Sequence, residues 1–401
     1  MIKPILLILF VYPPILTIAQ DTTTTPLISN RAMNLFLADR IGYYLSRYDD
    51  ISFDKNYITF NSSDGVFSLN HNFFQATPGD NPVKSFLVGG IKANVVNAVE
   101  SGFTGKQFNN EIGLTIKQTW LSSVATHSSQ SQKQHMAALR ASIRYSLQAQ
   151  ITRKQAEFEK NLDSLKQSDV PGQDLNQVKT YLRQKFNNDM SDHYSWESAR
   201  QQSDTLIETA NYDLVSTSWT SISGYVPILP LKYPVAETLN SSFETKYGYP
   251  ISLTISHTRF LESRTTGRFF ITLSGETYLN NTVHSQALET ITSSAYPNHL
   301  YIGSYKNFLT PVAKAEIIYF PPDSHVGFNL AIEQNIGTYN ALNGIVGIPI
   351  VLIDKAGHPA ANFQFQFRFF DISNTILPNR TFYDKTSVGL TLGVPFSKII
   401  Y

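Results

Sequence analysis

Between residues 362 and 369 phenylalanine takes every second position, as Phe363, Phe365, Phe367 and Phe369, and the intervening residues are Asn362, Gln364, Gln366 and Arg368. Side chains alternate faces along a β-strand, so the run has one aromatic face and one hydrogen-bonding face. A helix would scatter the same residues round its circumference. The aromatic face must lie against apolar material, either the core of a soluble β-protein or the hydrocarbon of a membrane.

The same period-two pattern recurs. Val326, Phe328, Leu330 and Ile332 alternate with Gly327, Asn329, Ala331 and Glu333. Val388, Leu390, Leu392, Val394 and Phe396 alternate with small or polar residues, as do Ile251, Leu253 and Ile255, and Ile112, Leu114, Ile116 and Trp120. Weaker members lie at 66–74, 84–94, 214–225, 269–278 and 312–320. The run 345–354 is apolar on both faces, as expected of a strand packed under an internal plug or loop.

The amino terminus reads as an export signal over residues 1–19: Lys3, an apolar stretch from Ile5 to Val11, and the small-residue pattern Thr17-Ile18-Ala19 before Gln20. Pro13 and Pro14 interrupt it, and it is shorter than the ~20 apolar residues of a spanning helix. Residues 20–50 follow as an N-terminal leader that includes a flexible threonine-rich stretch at 21–26. The chain has no cysteine, which excludes disulfides, thiolate metal sites and a cysteine nucleophile. Its formal charge of +1 makes no case for nucleic acid. Beyond the signal no apolar run could span as a helix, so a membrane-spanning chain would have to close into a barrel.

The connections also alternate. Those at 355–359, 321–324 and 262–266 are tight, whereas those at 373–385, 280–310 and 227–248 are long and 337–343 is intermediate. Tight turns at one end and long loops at the other, together with lipid-compatible alternation, resemble a Gram-negative outer-membrane β-barrel from about residue 51 to residue 401. The resemblance is one of architecture. It implies an all-β fold: an antiparallel transmembrane barrel of about 12 strands (range 10–14) with an inserted α-helical hairpin. It also implies export to the cell outer membrane and contact with outer-membrane lipid. The competing fold is a secreted β-sandwich, whose half-buried strands alternate in the same way. Tyr401 would supply the terminal aromatic common in such barrels, although its parity differs from that of Phe396. Trp120, Trp219, Tyr225, Tyr278 and Tyr319 are candidates for interfacial girdles.

Barrel strands are expected over 51–126 and 212–401, and the segment between them, 127–211, turns helical. Leu139, Ile143, Leu147, Ile151, Phe158 and Leu162 recur at helical spacing, Pro171-Gly172 breaks the run, and Asp174 can cap a second stripe of Leu175, Val178, Leu182 and Phe186. A third short helix is expected over 196–209. The turn count puts this module on the periplasmic side, where residues 131–211 would dock an envelope partner or plug the barrel. The basic residues Arg140, Arg144, Arg153, Lys154 and Lys160 are interspersed with Glu157, Glu159 and Asp163, which favours a merely solvated face.

Catalytic signals are weak. His257 beside Ser256 invites comparison with lipid-hydrolysing barrels, but no nucleophile motif or orienting acid accompanies the pair. The histidines lack metal-ligand spacing, and neither a cofactor, a metal nor an enzymatic activity is expected. Sequons at Asn61, Asn240, Asn280 and Asn379 point mostly to loops. The informative surface is the expected lumen, where Lys314, Glu316, Asn329, Glu333, Gln364, Gln366 and Arg368 would line the interior. Phe363, Phe365, Phe367, Phe369, Phe328, Leu330, Leu390 and Leu392 would face lipid. Two readings follow: a passive channel for small polar solutes, or a structural barrel that anchors the helical module for docking or is plugged by it.

Overall fold

The computed structural model describes residues 27–44, 56–62, 66–73, 83–94, 111–283, 288–293, 296–338, 340–355, 357–376 and 381–396. The proposed signal, the 21–26 stretch, Asn379 and Tyr401 lie outside these. Helix α1 (Asn30–Ile41) comes first, then strands β1 (Asn56–Asn61), β2 (Val66–Asn72), β3 (Ser85–Asn94), β4 (Glu111–Leu121) and β5 (Ala125–His127). Helices α2 (Gln130–Asp163) and α3 (Leu175–Thr209) precede β6 (Leu214–Pro227), β7 (Leu231–Ala236), β8 (Glu244–Gly248), β9 (Ser252–Ser263), β10 (Gly267–Asn281), β11 (Glu289–Ser293) and β12 (Tyr296–Ile302). The last strands are β13 (Asn307–Phe320), β14 (Phe328–Asn335), β15 (Leu342–Ile353), β16 (Pro359–Phe369) and β17 (Thr386–Phe396).

Twelve of these strands close a barrel in the order β4-β3-β2-β1-β17-β16-β15-β14-β13-β10-β9-β6, with β6 pairing back to β4. All the pairings are antiparallel, and β1 meets β17 from Asn56↔Phe396 to Asn61↔Thr391, joining the first and last of the described barrel strands. Closure leaves no open edge, which satisfies strand backbone groups without solvent. The short β5 continues the pairing of β4 onto β6, with Ala125 opposite Ser216, so the helices are spliced into the tip of one long β-hairpin.

Tight connections after β9, β13 and β15 gather at one end, here the short-turn end, and the helices emerge there too. Gly267 closes the β9–β10 turn at φ 83°, where a Cβ would lie 2.2 Å from the Phe320 carbonyl oxygen, so only glycine fits. At the opposite, long-loop end a second sheet in the order β11-β12-β7-β8 stands on the connections that the sequence suggested were plain loops. Residues 62–65, between β1 and β2, are a short connection at that same end.

The alternating patterns sort cleanly. Phe365, Phe328 and Leu330 are 51%, 63% and 57% exposed on the outer wall, and Phe363, Phe367, Phe369, Leu390 and Leu392 share that face. No helix among the described residues is long and apolar enough to cross a membrane.

Helix α2 starts with a capping box, Ser129 Oγ accepting from the Gln132 amide while Gln132 Oε1 accepts from Ser129 N. Asp174 Oδ1 caps α3 by accepting from Asn176 N at 2.8 Å. The expected third helix is not separate: α3 runs unbroken through 196–209, because no Pro or Gly interrupts it. Each helix is about 50 Å long at 1.5 Å per residue. Phe158 and Phe186 stack at 4.0 Å between them, and Arg183 pairs with Glu159 at 2.9 Å. Leu147 and Leu162 are buried along the stripe; Leu139, Ile143, Ile151 and Phe158 are half-buried.

Candidate functional site: a polar lumen and the helix beneath it

The inner wall changes character along the barrel axis. At the short-turn end it carries an apolar cluster beside a few buried polar groups: Tyr57, Phe86, Val88, Val215, Trp219, Phe260, Phe270, Ile318, Phe320 and Val351 pack with Ile28, Phe36, Ile41, Tyr43 and Tyr44 of the N-terminal segment. Towards the long-loop end it becomes polar. Of the doubly apolar run at 345–354, Val351 is the inward position that packs in this cluster with the N-terminal segment.

Residues 27–44, within what the sequence suggested was a leader, therefore close the short-turn mouth. Ser29 caps α1 by accepting from Ala32 N at 3.3 Å. A helix of 12 residues is marginal by itself, and α1 persists because Ala32, Phe36, Leu37 and Ile41 are buried. The aromatic pair that follows it reaches inward: Tyr44 lies edge-on to Trp219 at 5.5 Å and shares a hydrogen bond with Thr272 Oγ1 at 3.0 Å.

A buried charge cluster fixes this helix to the wall. Arg40 Nη1 meets Asp39 at 3.0 Å, and its Nε lies 2.9 Å from Glu262 Oε2 in an ion pair whose geometry is off-line for a hydrogen bond. Glu262 is shared with Arg268 at 3.1 Å, and the Arg268 guanidinium covers the Tyr43 ring at 4.0 Å. Burial by itself would lower the pKa of Arg40; Glu262, Tyr212 and Asp39 more than offset this, and the net shift is upward. Burial, reinforced by Glu262, pushes the Tyr212 phenol up to about 12.

Two histidines in the short turns complete the attachment. His358 Nδ1 lies 2.8 Å from Asp39 Oδ1 and its Nε2 4.0 Å from Asp204 of α3. The Asp39 hydrogen bond raises its pKa against the opposing effect of burial. His325 shares a hydrogen bond with the Tyr43 hydroxyl at 2.9 Å, and burial followed by Arg268 and Arg40 lowers its pKa. On its other side α1 meets the base of α3: Ser29 N donates to Gln202 Oε1 at 3.1 Å, and Arg31 lies over the Trp196 ring at 4.7 Å while donating to Ser195 Oγ.

Beyond this layer the inward side chains carry the polar lumen. Gln364 and Gln366 are each 1% exposed, and Glu316, Asn329, Glu333 and Arg368 are also buried. Asn329 donates to Glu316 at 2.8 Å, Asn343 to Glu333 at 3.1 Å and Gln366 to Asn61 at 3.2 Å. Lys314 pairs with Glu276, and Arg368 lies over the Phe370 ring at 4.2 Å. The seven residues expected at the lumen thus share the inner wall but divide among several local pairs. Gln364 Oε1 and Asn329 Oδ1 accept no hydrogen bond from the described residues, which leaves acceptor capacity inside.

Several expected sites move. Trp219, Tyr225 and Tyr278 share the inward face, so they cannot belong to a lipid girdle; strand parity overrides their interfacial preference. Trp120, 45% exposed, and Tyr319, stacked on Phe269 at 4.5 Å, do face outward. Ser256 is buried inside while His257 is exposed outside, so the two cannot exchange a proton as a dyad. Asn61 and Asn280 are buried on barrel strands rather than in loops.

Sequence reasoning missed α1 because its apolar residues fill under four turns, and it missed the charge cluster because Arg40, Glu262 and His358 are far apart in the chain. No family model matches the sequence, and no curated protein matches it significantly. Solved structures similar to part of the fold include the beta domain of the Bordetella autotransporter Brka, at 7% identity and TM-score 0.27 over 86% of this chain and 96% of that one. Another is OmpT, an outer membrane protein of Vibrio cholerae, at 6% identity and TM-score 0.21 over 85% of this chain and 94% of that one. At those scores the likeness adds nothing to the barrel's own geometry. The closed, antiparallel, twelve-stranded wall with its apolar exterior resembles an outer-membrane β-barrel.

Proposed function

We propose that this chain is an outer-membrane barrel, exported by its N-terminal segment, that is closed at its periplasmic end by α1 and presents α2 and α3 as a docking arm for another envelope component. The observation that carries this reading is the double attachment of α1, by ion pairs to Glu262 and His358 on the wall and by Gln202, Ser195 and Trp196 to the arm. A helix held at both faces couples the position of the arm to the closure of the mouth. Tyr145 and Tyr181, 82% and 62% exposed along the arm, are surfaces suited to a partner. No catalytic step enters this reading.

A photo-crosslinker at Tyr145 should trap a discrete envelope protein in intact cells, and the full chain should be silent in a planar bilayer. Stable conductance altered by Arg368→Ala would overturn the proposal in favour of a passage for small polar solutes. The charges that favour that second reading are Lys314, Glu316, Glu333 and Arg368, which face the interior with both signs. Protease added outside intact cells should spare residues 131–211; efficient cleavage there would sink the periplasmic placement.

A further inference from the structure

Arg259 is the one formally charged side chain among the described outward positions of the twelve barrel strands; the other charged residues of those strands have inward parity. It is exposed, and no carboxylate pairs with it among the described residues. A guanidinium on a lipid-facing wall is costly at mid-membrane and far less so near the interface, so its depth and neighbours decide what it is for.

Its neighbours form a polar notch. Arg259 is paired across the strands with Ser218, and His257 with Thr220, whose Oγ1 lies 3.0 Å from His257 Nδ1. The outer faces of β6 and β9 change from apolar to polar at one level, between Ile222 and Thr220 and between Ile255 and His257, while on β4 Gln118 lies opposite Ile222 and Trp120 opposite Thr220. Next door, β10 stays apolar at the same levels, with Ile271 opposite Arg259 and Leu273 opposite His257. Its aromatic boundary, Phe269 stacked on Tyr319, falls lower, opposite Leu261. The notch therefore reaches above the Phe269–Tyr319 pair into the apolar band from the short-turn side, with Trp120 of β4 level with Thr220.

We propose that this notch binds the phosphate of an anionic phospholipid headgroup, held by the Arg259 guanidinium with Ser218, Thr220 and His257 beside it and the acyl chains on Ile255 and Leu273. Arginine matches phosphate oxygens with two parallel hydrogen bonds and is weakly hydrated, which suits a site at the edge of hydrocarbon. A second copy of the chain is a poorer occupant, because the described outer wall offers no carboxylate to meet Arg259. The proposal rests on the membrane-barrel reading.

The test uses the full-length protein folded in neutral detergent and titrated with phosphatidylglycerol, with bound lipid counted by native mass spectrometry and heat-modifiable gel migration reporting the barrel. Wild type should hold a lipid that Arg259→Gln binds at least tenfold more weakly, with a smaller loss in His257→Asn. Equal retention by heat-modifiable wild type and Arg259→Gln overturns the headgroup site alone. Displacement by equimolar inorganic phosphate would make it a free-phosphate site, and a dimer lost in Arg259→Gln a protein interface; either overturns the lipid assignment. Absence of heat-modifiable migration in the wild type overturns the barrel reading and the site together.

Discussion

Helix α1 and the α2–α3 arm are both helical, yet they are stabilised in opposite ways. The arm is long and mostly exposed, held by its own stripes, by caps and by the Phe158–Phe186 stack. The shorter α1 buries nearly half its residues and sets Arg40 among Glu262, Asp39 and Tyr212. A substitution in the arm should thus act locally, whereas one in α1 should change the closure of the barrel.

The largest effect is expected for Phe36→Ala, which removes a fully buried ring packed edge-on to Tyr212 at 6.0 Å. The cavity costs about 3–5 kcal/mol, which is a hundredfold or greater acceleration of amide exchange in residues 30–41. Unchanged exchange there would mean that α1 does not depend on its tertiary contacts. Arg40→Ala comes next. It strips Asp39 and Glu262 of a partner, but Glu262 keeps Arg268 and Asp39 keeps His358, so the loss should fall near the low end of the range for a broken buried pair, about 3 kcal/mol. The same exchange measurement reads it, and bilayer recordings show whether the mouth opens.

A smaller effect should come from pH. The raised pKa of His358 means that its bond to Asp39 contributes fully below the unfolded value of about 6.5 and fades as pH rises through the folded value. His325, whose pKa is lowered, acts in the opposite sense: its contribution is present above about 6.5 and is lost as pH falls through its folded value. Together they give α1 docking a maximum between the two folded pKa values. Exchange of α1 followed from pH 5 to pH 8, roughly the histidine range, should show that maximum, and His358→Gln should flatten its alkaline side. If the alkaline side persists in the variant, His358 is not the group responsible. The smallest effect belongs to the arm: Arg183→Ala removes an exposed pair with Glu159 and should leave the exchange of α1 and the migration of the folded barrel unchanged. A change in either would show that the tip of the arm communicates with the mouth.

The alternation around Phe363 to Phe369 sufficed to place side chains inside or outside, because period two ties residue parity to a face whatever the partner strand. Apolar stripes and caps likewise showed the arm, since local spacing determines a helix of that length. Where both parities carry mixed residues, as around Trp219 and Tyr225, local pattern did not decide the face, and the pairing of β6 with β4 and β9 did. The aromatic strand, the absence of cysteine and the turn rhythm were properties of the sequence by itself, being local and additive. Tertiary structure decided the closure of β6 onto β4, the sheet above the long loops, the seat of α1 and the meeting of Arg40 with Glu262. These depend on surfaces that exist only once the barrel has closed: a helix as short as α1 gains its stability from the wall it buries, and a charge cluster assembled from distant residues has no periodicity to read.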